Sequence, residues 1–166
     1  MKMDIKNIKF RYDTKESDIK IVLDILKSTG YFYDYEIEVA GELVEERLKS
    51  GVKSGYYFAF AEDESGTMLG YSCYGHIPCS VSSYDLYWIA VHKNFQRYGI
   101  GKIILLKTEE LIKSLNGTQI YIETSNSEKY LSTRNFYLKC GYIQEAALKN
   151  FYGPGDDKVI YSKNII

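Results

Sequence analysis

The sequence predicts an α/β fold, a mixed and mostly antiparallel central sheet with helices on both faces. Three observations carry this. Short apolar runs bounded by turn residues recur along the chain, and amphipathic helical spacing interrupts them without a plain βαβ rhythm. Residues 84–91, "YDLYWIAV", form a run apolar enough for the centre of a sheet. The 166 residues suit a single domain spanning the whole chain, with 45% apolar and 26% charged residues, an ordinary globular balance.

Residues 8–12, "IKFRY", read as the first strand. Asp13 with Glu16 three positions later has the spacing of a capping box, opening a helix to about Lys27 that Gly30 ends. A second helix fits residues 36–49, with Ile37, Ala40, Leu43, Val44 and Leu48 on one side and Gly51 past its end. "YYFAFAE" and "MLGYSCYG" flank Asp63-Glu64-Ser65-Gly66 as a hairpin. After the strand at 84–91 come a helix over about residues 99–114, the strand "QIYIET" and a helix over 128–139. Two final strands, about 142–151 and 158–163, are joined by "YGPGDD". The order is β-α-α-β-β-β-α-β-α-β-β.

A net charge of −1 favours neither nucleic acid nor an anionic membrane as partner. Cys73, Cys79 and Cys140 make no C-x-x-C pair, which points away from a disulfide framework or a zinc site and towards a reducing, cytoplasmic setting. The start "MKMDIKNIKF" has no apolar leader segment, and no stretch has the roughly 18 apolar residues of a membrane span. His76 and His92 have no neighbouring acid pattern that would make a dyad or metal site, so no metal is expected. A homodimer is compatible with all of this.

"NFQRYGIGK", residues 94–102, sets Gly99 and Gly101 where a helix is about to begin, although glycine is about 1 kcal/mol worse than alanine inside one. A strand, a glycine-bearing loop and a helix N-terminus make an anion site, because the first helical N–H groups point outward unsatisfied and glycine lets a ligand approach the backbone. The P-loop pattern fails, since Lys102 is followed by Ile103, and the dinucleotide fingerprint fails at Ile104. A tight structural turn is the alternative use of the two glycines.

Gln96-x-x-Gly99-x-Gly101 after Ile89-Ala90-Val91 resembles the signature of the GCN5-related N-acetyltransferase (GNAT) superfamily. "STRNFYLKCGY", with Tyr137 four residues before Gly141, resembles the second motif of that family, and the element order matches its fold over nearly the whole chain. The resemblance implies acetyl-CoA as cosubstrate. Its pyrophosphate would be held by Gln96, Arg97, Tyr98, Gly99, Ile100, Gly101 and Lys102, and its pantetheine arm by the backbone of Ile89, Ala90 and Val91. Tyr130 stands where many relatives carry a coenzyme-binding asparagine, which leaves Asn126 or Asn135, with Arg134, to fill that role. Tyr137 would protonate the departing thiolate.

Acyl transfer also needs a neutral amine. Freeing a lysine-type amine at pH 7 costs roughly 4–5 kcal/mol, but an α-amine only about 1 kcal/mol. Asp85 lies on the central strand, where a carboxylate is costly unless it has a purpose, and some relatives carry a general base there. It would act directly or through water; alternatively it starts the strand and faces solvent. "GYFYDYEIE" brings Tyr31, Phe32, Tyr33 and Tyr35 together with three acids, chemistry suited to a cationic amine, and Tyr152 could close the other side. The same rings could instead pack on the core, as could Tyr137. A protein-tail acetylase needs an open groove and a small-molecule enzyme an enclosed pocket; the tyrosine-rich segment favours a small amine such as an amino acid or amino metabolite. The competing functions are acetylation of a protein or peptide amine, a non-catalytic acetyl-CoA sensor, and an interaction module.

Overall fold

β1 (Lys9–Arg11) is followed by α1 (Glu16–Thr29), α2 (Asp34–Ser50), β2 (Tyr57–Glu62), β3 (Met68–His76) and β4 (Ser83–Val91). Then come α3 (Ile100–Ser114), β5 (Gln119–Ser125), α4 (Leu131–Lys139), β6 (Ile143–Gly153) and β7 (Asp156–Asn164). The computed structural model describes residues 7–166; most of the lysine-rich opening read above for a leader segment lies outside the described residues. Element order is as the sequence predicts. The seven strands lie in the order β1-β2-β3-β4-β5-β7-β6, which makes the apolar β4 central. β4 and β5 run parallel, while β1–β2, β2–β3, β5–β7 and β6–β7 are antiparallel.

The chain divides into two compact units, one of Met1–Gly75 with Trp88–Thr108, the other of His76–Tyr87 with Glu109–Ile166. In the first, β2 and β3 alternate their side chains between two helical layers. Phe58, Phe60, Tyr71 and Cys73 pack with Val22, Ile25 and Leu26 of α1 and Ile37, Ala40 and Val44 of α2. Ala61 packs with Ile100 and Ile104 of α3, where Ile89, Val91 and Phe95 join it, and the register shift after Ala61 brings Leu69 to the same layer against the simple alternation. Each large side chain sealed this way contributes roughly 1.5–3 kcal/mol. Ser72 and Thr108 satisfy one another's hydroxyls in this interior at 2.7 Å. The Tyr71 hydroxyl is the one buried side-chain polar atom without a partner among the described residues.

The start of α1 departs from the expected Asp13–Glu16 capping box. Its N-cap is Lys15, whose N–H donates to the carboxylate of Asp18 at 2.7 Å. Asp18 takes the role because it is already fixed: Arg11 donates to both of its oxygens, at 2.8 and 2.9 Å. Arg11 also donates to Glu62 at 2.7 Å and lies over the Phe60 ring at 4.5 Å. That arrangement ties β1, β2 and α1 together.

In the second unit, Tyr137 of α4 packs its ring against Tyr142 at 5.9 Å and Tyr161 at 6.1 Å. Beneath them Lys163 donates to both oxygens of Glu109 at 2.9 Å and to the Cys140 carbonyl at 3.0 Å, and Tyr142 donates to Glu109 at 3.1 Å. The expected helix over 128–139 begins instead with a 3₁₀ turn, Glu128–Tyr130, before α4. The "YGPGDD" connection shrinks to Pro154 and Gly155, because β6 runs on to Gly153 with its register slipping between Leu148 and Gly153. Asn150, at φ +56°, absorbs part of that irregularity; its N–H donates to Asp157 and its side-chain oxygen accepts from Gly155.

Candidate functional site

In the first unit the chain leaves β4 at Val91 and turns into α3 through the glycine loop. The Gln96 side-chain amide donates to the Val91 carbonyl at 3.1 Å, and the His92 N–H donates to Leu69 at 2.9 Å, so both ends of the turn are pinned to strands. The His92 ring nitrogen Nδ1 accepts from the Asn94 N–H, which makes this histidine a cap rather than a catalyst. Arg97 and Gly99 both adopt left-handed backbone, at φ +68° and +82°. A non-glycine residue there stores strain, and such strain clusters at ligand clamps. Gly99 accepts the Ile103 N–H at 3.2 Å, which closes the first turn of α3. The amides of Ile100, Gly101 and Lys102 precede that bond and point out of the helix end, together with the positive end of the dipole. A Cβ built on Gly99 would touch nothing within 4 Å, so the space beside this backbone is open. Arg97, Tyr98 and Lys102 are exposed around it.

The tyrosine-rich segment divides in two. Phe32 stands edge-on to Trp88 at 5.2 Å and joins the core of its unit, as the packing alternative has it. Tyr33 and Tyr35 are exposed and stack on one another at 5.6 Å, with an interplanar angle of 8°. Tyr31 is half-buried, and its N–H donates to the Thr29 hydroxyl at 3.3 Å.

In the second unit, Asp85 is half-buried and sits on the last rung of the short parallel ladder, which pairs residues 83–85 with 119–121. Burial first, and the nearby Glu123 second, push its carboxyl from the ordinary 3.8 up to about 6, against a downward pull from Lys158. That is a carboxylate tuned towards proton exchange near neutrality. Tyr137 is 5% exposed, and burial pushes its hydroxyl well above the usual tyrosine range, so it is a neutral donor across physiological pH. Arg134 donates to the carbonyls of Ser125 and Ser127 at 2.9 and 2.8 Å, clamping the loop between β5 and α4. Asn126 is occupied in the same loop, exchanging hydrogen bonds with the backbone of Asp157. Asn135 is exposed on α4, and Tyr152 is exposed on β6 with Phe151 edge-on at 5.0 Å. Sequence spacing did not reveal Glu123 and Lys158, which strand register brings to the face of Asp85, nor Phe151, whose ring lies against Lys158. Among the described residues no group of His, Cys, Asp and Glu could hold a metal ion, and no helix is long and apolar enough to cross a membrane.

The first unit thus presents a strand, a glycine loop pinned to it and a helix N-terminus beside open space, and the second presents a half-buried carboxylate raised towards neutrality and a buried, neutral tyrosine. Residues 54–144 match the acetyltransferase (GNAT) domain, and the chain belongs to that family. A GNAT-assigned crystal structure from Desulfovibrio desulfuricans is 40% identical, with a TM-score of 0.93 over 96% of this chain and 99% of that one. An aminoglycoside 6'-N-acetyltransferase complexed with coenzyme A shares the fold at 19% identity, with a TM-score of 0.74 over 95% of this chain and 97% of that one. An N-alpha-acetyltransferase from Sulfurisphaera tokodaii is 30% identical over 91 residues, 53% of this chain and 52% of that protein. The match thus spans about half the length of this curated relative.

Proposed function

We propose that the whole chain is one acetyltransferase domain that moves an acetyl group from acetyl-CoA to a primary amine, most readily a small molecule such as an amino acid or amino metabolite. The observation that carries this is the turn from β4 into α3. Gln96 fixes it to Val91, Arg97 and Gly99 hold left-handed backbone, and the helix end presents its free amides beside open space. An anion as highly charged as a pyrophosphate is what such a turn is suited to bind.

The residues divide the work as follows. Gln96 to Lys102 would hold the pyrophosphate, and the backbone of Ile89 to Val91 the pantetheine arm. The cosubstrate supplies an acetyl thioester. Asp85 would take the proton from the attacking amine, directly or through water, and a carboxyl near 6 can do so at neutral pH where an ordinary aspartate is too weak. As the carbon–nitrogen bond forms and the carbon–sulfur bond breaks, the Tyr137 hydroxyl would donate a hydrogen bond to the departing sulfur; because burial raises this hydroxyl instead of lowering it, the thiolate would take its proton from solvent on release. Tyr33, Tyr35 and Tyr152 are exposed aromatics that would meet a cationic acceptor. Arg134, Asn126 and Asn135 shape or flank the β5–α4 loop and would serve the coenzyme there.

The setting we infer is cytoplasmic, which accords with three free cysteines, and a homodimer is compatible with it. The test is direct. Calorimetric titration with acetyl-CoA, followed by a turnover screen, should give tight coenzyme binding and thiol release with at least one amine. The screen must include a peptide with a free N-terminus, because the curated relative is an N-alpha-acetyltransferase. Coenzyme binding without turnover of any amine would leave the sensor function, and no binding would leave a structural glycine turn.

A further inference from the structure

We infer that Lys158, held between Glu123 and Phe151, is a positioning residue that sets the proton affinity of Asp85. This rests on the proposed use of Asp85 as the base, but the geometry is independent of it. Asp85 is registered against Tyr121 on β5, and Glu123 lies two residues further along the same face. Ser125 is registered against Lys158 on β7, which brings Lys158 to that face as well. The Lys158 ammonium lies 2.5 Å from a Glu123 oxygen and 3.8 Å from the Phe151 ring centroid. Its side chain is only 13% exposed, whereas that of Glu123 is 49% exposed. A lysine so enclosed is fixed by two walls, a carboxylate and an aromatic face, and has lost the mobility that makes surface pairs weak.

The groups around Asp85 are of both signs. β5 contributes Tyr121 and Glu123, β7 contributes Lys158, and Tyr87 shares the face on β4 itself. His76 of β3 rests its ring on Tyr84 at 5.4 Å, the neighbour that alternates to the other face. Glu123 raises the carboxyl of Asp85 and Lys158 lowers it, so the pair acts as a bias of adjustable sign. Phe151 holds the cation from the irregular stretch of β6 that Asn150 and Asp157 fix. A stretch that carries no proton-transferring residue thereby reaches the base.

The test is a carbon-13 titration of the side-chain carboxyls of the whole protein, with the Asp85 signal assigned by its loss in Asp85→Asn. Lys158→Met should move the Asp85 midpoint up and Glu123→Gln should move it down, each by roughly half a pH unit or more. Phe151→Leu should give a smaller upward move, since it frees the cation without deleting it. Opposite shifts from two neighbouring neutralisations are not what loosened packing produces. Shifts in the same direction, or none, overturn the inference. The acid limb of kcat/KM with acetyl-CoA and a simple primary alkylamine should follow the titration. Opposite shifts with an unmoved limb would support the tuning by Lys158 and sink the general-base role of Asp85.

Discussion

The side-chain amide of Gln96 donates to the backbone carbonyl of Val91, so the residue that opens the glycine motif spends itself on the end of β4. In the proposed coenzyme site its side chain would therefore act by holding the turn, leaving the pyrophosphate to the residues after it. Gln96→Ala leaves that carbonyl to solvent and frees the turn that carries Arg97 and Gly99. Acetyl-CoA affinity should fall by about tenfold, or 1.4 kcal/mol, while the melting temperature changes little. Calorimetry beside a thermal melt checks both. A large loss of stability with affinity intact would make Gln96 a scaffold residue only.

Gly99 separates two effects that one substitution usually confounds. Space beside it is open, but φ is +82°, a conformation that asparagine tolerates and a β-branched residue does not. Gly99→Asn should keep the fold and lose affinity through its side chain alone. Gly99→Val should lose affinity and also about 1–3 kcal/mol of stability. Gly101→Val, in the first turn of α3, should weaken coenzyme binding with a smaller cost to the fold. Denaturant melts with matched acetyl-CoA titrations resolve these; unchanged affinity in all three variants would remove the phosphate-loop assignment.

Asp85→Asn should make the protein more stable and less active. Its carboxyl is raised from 3.8 to about 6, so the folded state holds this proton more tightly than the unfolded chain. The stabilising contribution is complete below pH 3.8 and is lost as the pH climbs through 6, which makes the ionised group a liability at neutrality. After discounting for partial solvent exposure, the amide should gain on the order of 1–2 kcal/mol at neutral pH. That gain should fade near pH 4. Turnover should drop about 10²–10⁴-fold for amines of high pKa and less for α-amines. Melts across pH, run beside the amine panel, decide the matter, and equal stability of the two proteins at every pH would contradict the burial argument.

Tyr137→Phe should preserve coenzyme binding and lower kcat, because in the proposed mechanism the hydroxyl assists only as sulfur departs. Since burial holds the hydroxyl well above its usual range, wild-type activity should show no loss from Tyr137 ionisation up to about pH 10. Wild-type kcat in the variant would return Tyr137 to its ring cluster with Tyr142 and Tyr161.

Asp18→Ala should be among the costliest changes far from the chemistry. It takes one of two carboxylates from the Arg11 guanidinium, which keeps Glu62, and removes the acceptor for the Lys15 N–H. A broken pair that leaves an uncompensated buried charge costs about 3–5 kcal/mol; with Glu62 still on Arg11 the loss should be smaller, about 2 kcal/mol. Urea denaturation reads it, and a loss below about 1 kcal/mol would class the pair with surface salt bridges.

Local chemistry made much of this molecule legible. The apolar run of β4, the glycines before α3 and the spacing of Tyr137 to Gly141 each state their role within a dozen residues. What stayed hidden depends on register. Asp18 captures the cap of α1 because Arg11 arrives from β1, and no spacing between Asp13 and Glu16 announces that. Lys158 and Glu123 are 35 positions apart in the sequence (158 − 123) and meet only because β5 and β7 pair as they do. Phe32 looked like Tyr33 and Tyr35 in sequence, yet Trp88 draws it into the core while the tyrosines remain outside. In each case a partner distant in the chain decided between two locally equal choices.

The last strand in the sheet order, β6, is broken in register after Gln144 and again after Leu148, and it bears Glu145 and Lys149 at those irregularities. Slips of this kind over-twist a sheet margin, and charges on it repel a flat newcomer. Ile143, Leu148 and Phe151 are exposed along it, which would otherwise be an invitation to fibrous stacking. The distortion that accompanies the Phe151–Lys158 contact thus works as a guard rail, disfavouring the addition of another chain's strand along this margin.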